Sequence, residues 1–450
     1  MTIWQSVWVL AAIIQFMMPK LLLVGFAAAV GMLILYTEIE NPNEYIDRET
    51  GCFTGAAMSA FIKDKYAFDE SFSVVAIRIG YLIDDPDFEM QKRAYIRSAY
   101  FMLNMGNDPV FRLDDDKFCT VYSNKDKAVE DMWKMKKAAD AVSDIPAEGH
   151  FVEIENGLAF DTYEELLEFI NIHLDDEEQV VFADEANVEA LRKRHYLKDL
   201  INSALQNNRV EVYYQPFYNN RTGRFDAAEA LVRIKNENGQ IVPPGDFIPV
   251  AEDTGQIIPL GMAIFEEVCR FLSTGEPQEN GISFIEVNVS AMQFDHENPS
   301  QFMIDTMAKY KIAPDWINLE ITETASNEAK SILLYNVNKL YRYGVSFSLD
   351  DFGTGRSNFD YFIGLPVHTV KFDYNFTQSY FNDEKIKYIM NGIVTIMHDM
   401  GMVIVSEGVE TEEQANHLKT LGIEYMQGYF YSKPLNQIDF IRFLKEGRQS

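Results

Sequence analysis

The sequence predicts an α/β protein whose larger part is a (β/α)8 barrel, preceded by an α+β domain and an apolar N-terminal segment. Three observations carry this. From Val210 onward, β-branched and aromatic runs alternate with helical runs over about 240 residues. Between Glu38 and Ala186 shorter runs of both kinds mix without that rhythm. Residues 3 to 36 contain no acid and one base, Lys20. With 450 residues, 47% of them hydrophobic, the chain can bury more than one core. A formal charge of −30 excludes a sequence-independent grip on a nucleic-acid polymer, which needs clustered Lys and Arg. The scattered Cys52, Cys119 and Cys269 fit neither a disulfide framework nor a CxxC metal site, which points to a reducing, cytoplasmic compartment for everything beyond the N-terminus.

Taken in order, residues 1–37 read as transmembrane. Each half, before and after Pro19-Lys20, has about 16 residues, slightly short for a ~30 Å hydrocarbon core at ~1.5 Å per residue, so two thin spans and one kinked helix both remain open. A signal peptide fits less well, because there is no basic n-region and no small-residue cleavage site before "TEIENPNEYIDRETG". The expected location is the cytoplasmic membrane. In residues 38–186, "FSVVAIRI" (72–79) and "KFCTVYS" (117–123) have strand composition, and "TYEELLEFINIHL" (162–174) has helical spacing. Residues 187–209 form a connecting helix with the densest basic cluster of the chain. In residues 210–450 the candidate strands are "VEVYYQPF", "AEALVRI", "ISFIEVNV", "INLEIT", "VSFSLD", "TVKFD", "MVIVSEG" and "EYMQGYF". Helical stretches such as "GMAIFEEVCRFL" and "IKYIMNGIVTIMHDMG" separate most of them.

Those strands carry an unusual polar set: Glu229, Asn288, Glu320, Asp350 with Asp351, Lys371, Glu407 and Gln427. Branched apolar side chains normally fill a barrel, and an ionised carboxylate there costs several kcal/mol unless it is paired or metal-bound. Acids from several strands therefore imply a shared cation. Carboxylates with an amide oxygen suit Mg2+ or Mn2+, and the lack of His and Cys nearby disfavours zinc.

The stretches "AEALVRI", "NVSAMQF", "LEITET", "LDDFGTG", "VKFD", "SEGVET" and "QGYFYSKPL", in this order over residues 195 to 445, resemble the EAL family of cyclic di-GMP phosphodiesterases. The resemblance implies a modified TIM barrel whose first strand runs antiparallel, two divalent ions at its mouth, and hydrolysis of cyclic di-GMP to linear pGpG. It implies that Glu229, Asn288, Glu320 and Asp350 hold one ion, and that Asp350, Asp351 and Glu407 adjoin the other. On the same basis Lys371 screens developing charge and Glu407 handles a proton. Arg233, with Glu229 and Gln427, contacts substrate. Glu323 anchors the loop freed by Gly353 and Gly355, and Glu410 supports the site from behind. A homodimer through the barrel is also implied. The chain departs from the family pattern at His368 and Tyr374, which flank Lys371.

Residues 38–186 resemble a GGDEF domain, through "DRETGCFTG" (47–55) and "FRLDDDKF" (111–118). Of the five signature positions only Asp116 and Phe118 remain. Asp114 and Asp115 replace two glycines, Lys117 replaces an acid, and Arg78 stands where the family has its first metal-binding Asp. The implied role is regulation without synthesis. A catalytically silent cyclic di-GMP receptor is the alternative reading of the whole chain, disfavoured by the complete acid set.

Overall fold

The computed structural model describes residues 45–81, 106, 108–141, 147–175, 178–295, 298–321, 329–353 and 364–447. The chain divides into two compact units, Met1–Arg192 and Lys193–Ser450. Among the described residues no helix is long and apolar enough to cross a membrane. The segment read as transmembrane lies outside them.

In the first unit, β1 (Phe53–Thr54), β2 (Ser73–Tyr81), β3 (Val110–Arg112), β4 (Lys117–Tyr122), β5 (Ala147–Ile154) and β6 (Val180–Phe182) form one sheet in the order β1-β3-β4-β2-β5-β6. Alternation along β2 supplies both faces. Val74 and Ala76 join Met58, Ile62, Leu166 and Phe169 from the helices Gly55–Ala67 and Tyr163–Leu174. Val75 and Ile77 join Ala128, Met132 and Met135 from the helix Lys125–Ala141. The helix expected at 162–174 is capped by Thr162, whose side chain accepts from the Glu165 N–H. Where β2 passes β4, Arg78 pairs in register with Lys117. Arg78 holds Asp116 and Asp175, both at 3.0 Å, and Lys117 holds Asp175 at 2.8 Å.

In the second unit all eight expected strands form. They are β7 (Val210–Asn219), β8 (Arg224–Lys235), β10 (Phe284–Val289), β11 (Ile317–Ile321), β12 (Ser346–Phe352), β13 (Thr369–Phe372), β14 (Val403–Ser406) and β15 (Tyr425–Met426), with a short β9 (Ile241–Val242) hairpinned onto β8. The sheet closes on itself because β10 pairs with β8 as well as with β11. Neighbouring barrel strands are parallel except at β7, which runs antiparallel to both β8 and β15. Helices such as Ile257–Leu272, Ala329–Tyr343, Glu384–Asp399 and Glu412–Leu421 connect the strands and bury apolar faces in one continuous core. Such a barrel gathers side chains from many strands at their C-terminal ends.

Candidate active site

Strand register sets the polar residues into one cluster. Glu229 on β8 is level with Glu286 on β10, Asn288 with Glu320, and Glu320 with Ser348 on β12. Lys371 comes from β13, Glu407 directly follows β14, and Gln427 directly follows β15. At the centre is the Lys371 ammonium, 1% exposed. It lies 2.6 Å from Glu320, 2.7 Å from Glu407, 3.4 Å from Glu229 and 3.8 Å from Glu286. Glu229 is held on both oxygens: Asn288 Nδ2 donates to Oε1 and Gln427 Nε2 to Oε2, each at 2.8 Å.

Burial alone would lower the Lys371 ammonium, but Glu229, Glu320, Glu407 and Asp350 together raise it well above the usual lysine value. The acids respond in kind. Burial, then repulsion from Asp350, lifts Glu320 well above the carboxylate range. Burial raises Glu407 to about 7, with Lys371 opposing and Glu229 and Asp350 adding to the shift. Carboxylates that resist ionising together mark a site with more negative charge than one ammonium balances.

The paired aspartates occupy an irregular strand end. Register between β12 and β13 shifts between Leu349 and Phe352, and Asp351 has φ +56°, a left-handed conformation uncommon for a residue other than glycine. Adjacent strand residues ordinarily point to opposite faces, and this bulge breaks that alternation. Asp351 is exposed, yet partial burial and then Asp350 raise its carboxyl to about 6. Gly353 follows at φ +108°, where a Cβ would come within 2.6 Å of the Phe376 ring. Both backbone and space therefore require glycine.

Arg233 is half-buried on β8, donates to the Val232 carbonyl at 2.8 Å and lies over the Tyr213 ring at 5.6 Å. Among the described residues it has no carboxylate at ion-pair distance. Glu410 is exposed and accepts from the Tyr374 hydroxyl at 3.4 Å. Tyr374 also covers Gly408, φ +70°, where a Cβ would meet its ring at 2.3 Å. One departure from the family pattern is thus built into the loop behind Glu407. The other, His368, stacks on Tyr341 with ring centres 5.9 Å apart. Glu323 and Gly355 lie outside the described residues.

Sequence reasoning missed four residues. Glu286 is fully buried, with Oε1 accepting from Asn318 Nδ2 at 2.8 Å and from Ser348 Oγ. Gln215 on β7 accepts from Gln427 Nε2 at 3.0 Å. The available signal was parity: Glu286 shares a strand face with Asn288, two residues on.

The donor set fits a hard divalent cation. Oxygens of Glu320, Asp350 and Glu407 lie within 4.8 Å of one another. Glu320 Oε2 and Asp350 Oδ1 are buried without a hydrogen-bond partner. Glu229, whose Oε1 accepts from Asn288 Nδ2, does not join that trio.

The family comparison agrees with this geometry, since residues 199–434 match the EAL domain, more than half of the chain and every residue of the cluster. The chain belongs to the EAL domain family. It is 32% identical over 251 residues to the signaling protein YkoW of Bacillus subtilis (strain 168), covering 55% of this chain and 31% of YkoW. It is likewise 32% identical over 250 residues to the cyclic di-GMP phosphodiesterase PdeL of Escherichia coli (strain K12), covering 54% of this chain and 67% of PdeL. The chain spans about a third of the length of the first curated relatives it matches. Among solved structures, the PaMucR phosphodiesterase in complex with c-di-GMP superposes with a TM-score of 0.51 at 30% identity, covering 54% of this chain and 99% of that one. The cGMP-bound EAL enzyme Bd1971 shares the fold, with a TM-score of 0.56 at 20% identity over 83% of this chain and 95% of that one.

Proposed function

We propose that this chain is a membrane-anchored phosphodiesterase that hydrolyses cyclic di-GMP to linear pGpG with two divalent cations, Mg2+ or Mn2+. The observation that carries the reading is the convergence of Glu320, Asp350 and Glu407 beside the buried Lys371. Further support comes from PdeL, named a cyclic di-GMP phosphodiesterase, and from the PaMucR domain solved with c-di-GMP.

In this reading Glu229, Asn288, Glu320 and Asp350 hold one cation, and Asp350, Asp351 and Glu407 hold the other. When bound, the cations supply Lewis-acid activation of the phosphodiester and charge neutralisation. The chain's own residues do the rest. Arg233, whose Nη1 also donates to the Val232 carbonyl and which pairs with no carboxylate among the described residues, grips a phosphate oxygen with its planar fork of donors. Gln427, tied to Glu229 and Gln215, fixes the floor of the site against which the ligand rests. Glu407, set beside Lys371 at 2.7 Å where β14 ends, takes a proton from the attacking water. Lys371 neutralises negative charge growing on the phosphoryl oxygens. Protein freed of metal with a chelator is expected to leave cyclic di-GMP intact, and Mg2+ or Mn2+ to restore pGpG formation; hydrolysis indifferent to chelation would refute the metal assignment.

The first unit is, on this reading, a GGDEF relative that regulates without synthesising. Its support is the ion-pair set Arg78, Asp116, Lys117 and Asp175, which puts two bases where metal and GTP would be held. The apolar run at 3–36 supports anchorage in the cytoplasmic membrane with the barrel on the cytoplasmic side. A second copy is the expected partner. Ile389, Ile396 and Met400 form an apolar stripe about half exposed on and just past the helix Glu384–Asp399, and Ile396→Glu is expected to turn a dimer into a monomer in sedimentation. A wild type that sediments as a monomer would remove this part of the proposal.

A further inference from the structure

We propose that Glu286 is a positioning residue for Lys371: a carboxylate beneath the cation sites that keeps the ammonium in place once the cations have drawn off its other partners. This rests on the phosphodiesterase reading and deepens it. Among the described residues four carboxylates lie at ion-pair distance from Lys371, and three of them, Glu229, Glu320 and Glu407, are assigned to cations, as is the more distant Asp350. A carboxylate committed to a dication partners an ammonium poorly, and the dications repel that ammonium directly. Loading the site would therefore expel Lys371 unless another negative charge held it.

Glu286 is the remaining charge. It precedes Asn288 by two residues on β10, so it shares that face and lies about 7 Å nearer the N-terminal end of the strand. Its Oε1 is committed to Asn318 Nδ2 and Ser348 Oγ, which fix the side chain. Its Oε2 has no hydrogen-bond partner and lies 3.8 Å from the ammonium. A fully buried carboxylate is unfavourable without a compensating cation. Among the described residues Lys371 is the base that pairs with it. Asn318, its register partner, offers an amide and not a second acid.

The test uses the full chain. Glu286→Gln keeps the shape and removes the charge. The expected result is a fall in kcat of about tenfold or more with KM changed by no more than about threefold. Calorimetry should still find Mn2+ bound to the substrate-free variant at the wild-type stoichiometry. In the Mg2+-loaded protein, the slowly exchanging 1H–15N signal of the Lys371 ammonium should be sharp in wild type and broadened in the variant. Exchanging the register partners, Glu286→Asn with Asn318→Glu, should restore both kcat and the sharp signal. Wild-type kcat and a sharp signal in Glu286→Gln would overturn the proposal. Loss of bound Mn2+ would also overturn it, by making Glu286 a cation ligand. A folded exchange variant without recovery would reduce Glu286 to local packing. If the wild type itself leaves cyclic di-GMP intact, the phosphodiesterase reading alone falls, and the ammonium signal still decides on Glu286.

Discussion

Lys371 shows what the residue scale contributes. A lysine buried to 1% exposure is tolerable only because carboxylates surround it, and they in turn depend on it until cations arrive. Lys371→Met should therefore destabilise the cation-free barrel by about 3–5 kcal/mol, as expected when one partner of a buried ion pair is lost. Mn2+ should restore part of that loss. Urea unfolding of both proteins with and without Mn2+ measures it, and equal cation-free stabilities would contradict the electrostatic account. Lys371, Glu229 and Glu320 were legible in the sequence because each stands alone among apolar neighbours on a strand. Glu286 was not, although it shares parity with Asn288. A barrel strand is buried on both faces, so its apolar residues do not tell lumen from helix side, and in "FIEVNV" Asn288 already stood out as the polar residue of that strand.

At the scale of elements, all eight barrel strands were legible from β-branched runs and the helices from their spacing, because local composition and burial agree there. The end of β12 was not. No residue type announces the register shift or the left-handed backbone of Asp351, which is set by how the strand meets β13. In the first unit, Glu153 on β5 offers an independent check. It is 3% exposed and in register with Val75 and Phe182. Burial, then Glu155, raises its carboxyl from 4.5 to about 7, with Lys125 opposing. The folded-state value lies above the unfolded one, so the favourable contribution belongs to the protonated form. It is complete below about pH 4.5 and lost as pH rises through about 7. Glu153→Gln should thus leave the unit's stability nearly unchanged at pH 4.5 and raise it at pH 8 by on the order of 2 kcal/mol. Amide exchange protection across β2 and β5, corrected for intrinsic rates, reads this out; an equal gain at both pH values would point to packing instead.

For the whole molecule, an EAL barrel follows a unit whose Arg78 and Lys117 bring positive charge to a place where its resemblance implies cations. The full-length protein should therefore make no cyclic di-GMP from GTP when its barrel is inactivated, and any such product would refute the regulatory reading. After gentle cell breakage it should sediment with membranes, and intact protein in the soluble fraction would refute the anchor. The barrel was readable from the alternation of strand and helix that begins at Val210. The charge balance inside the barrel was not, because it depends on which strands meet. That balance bears most directly on catalysis at the paired aspartates, where Asp351→Asn keeps size and turn preference but removes one charge. The decisive measurement is single-turnover conversion of cyclic di-GMP in Mg2+ by wild type and Asp351→Asn, with melting curves for both. The account predicts pGpG from the wild type and a rate lower by about a hundredfold or more in an equally stable variant. Bound but unhydrolysed cyclic di-GMP in the wild type, or equal rates from the two proteins, would contradict it.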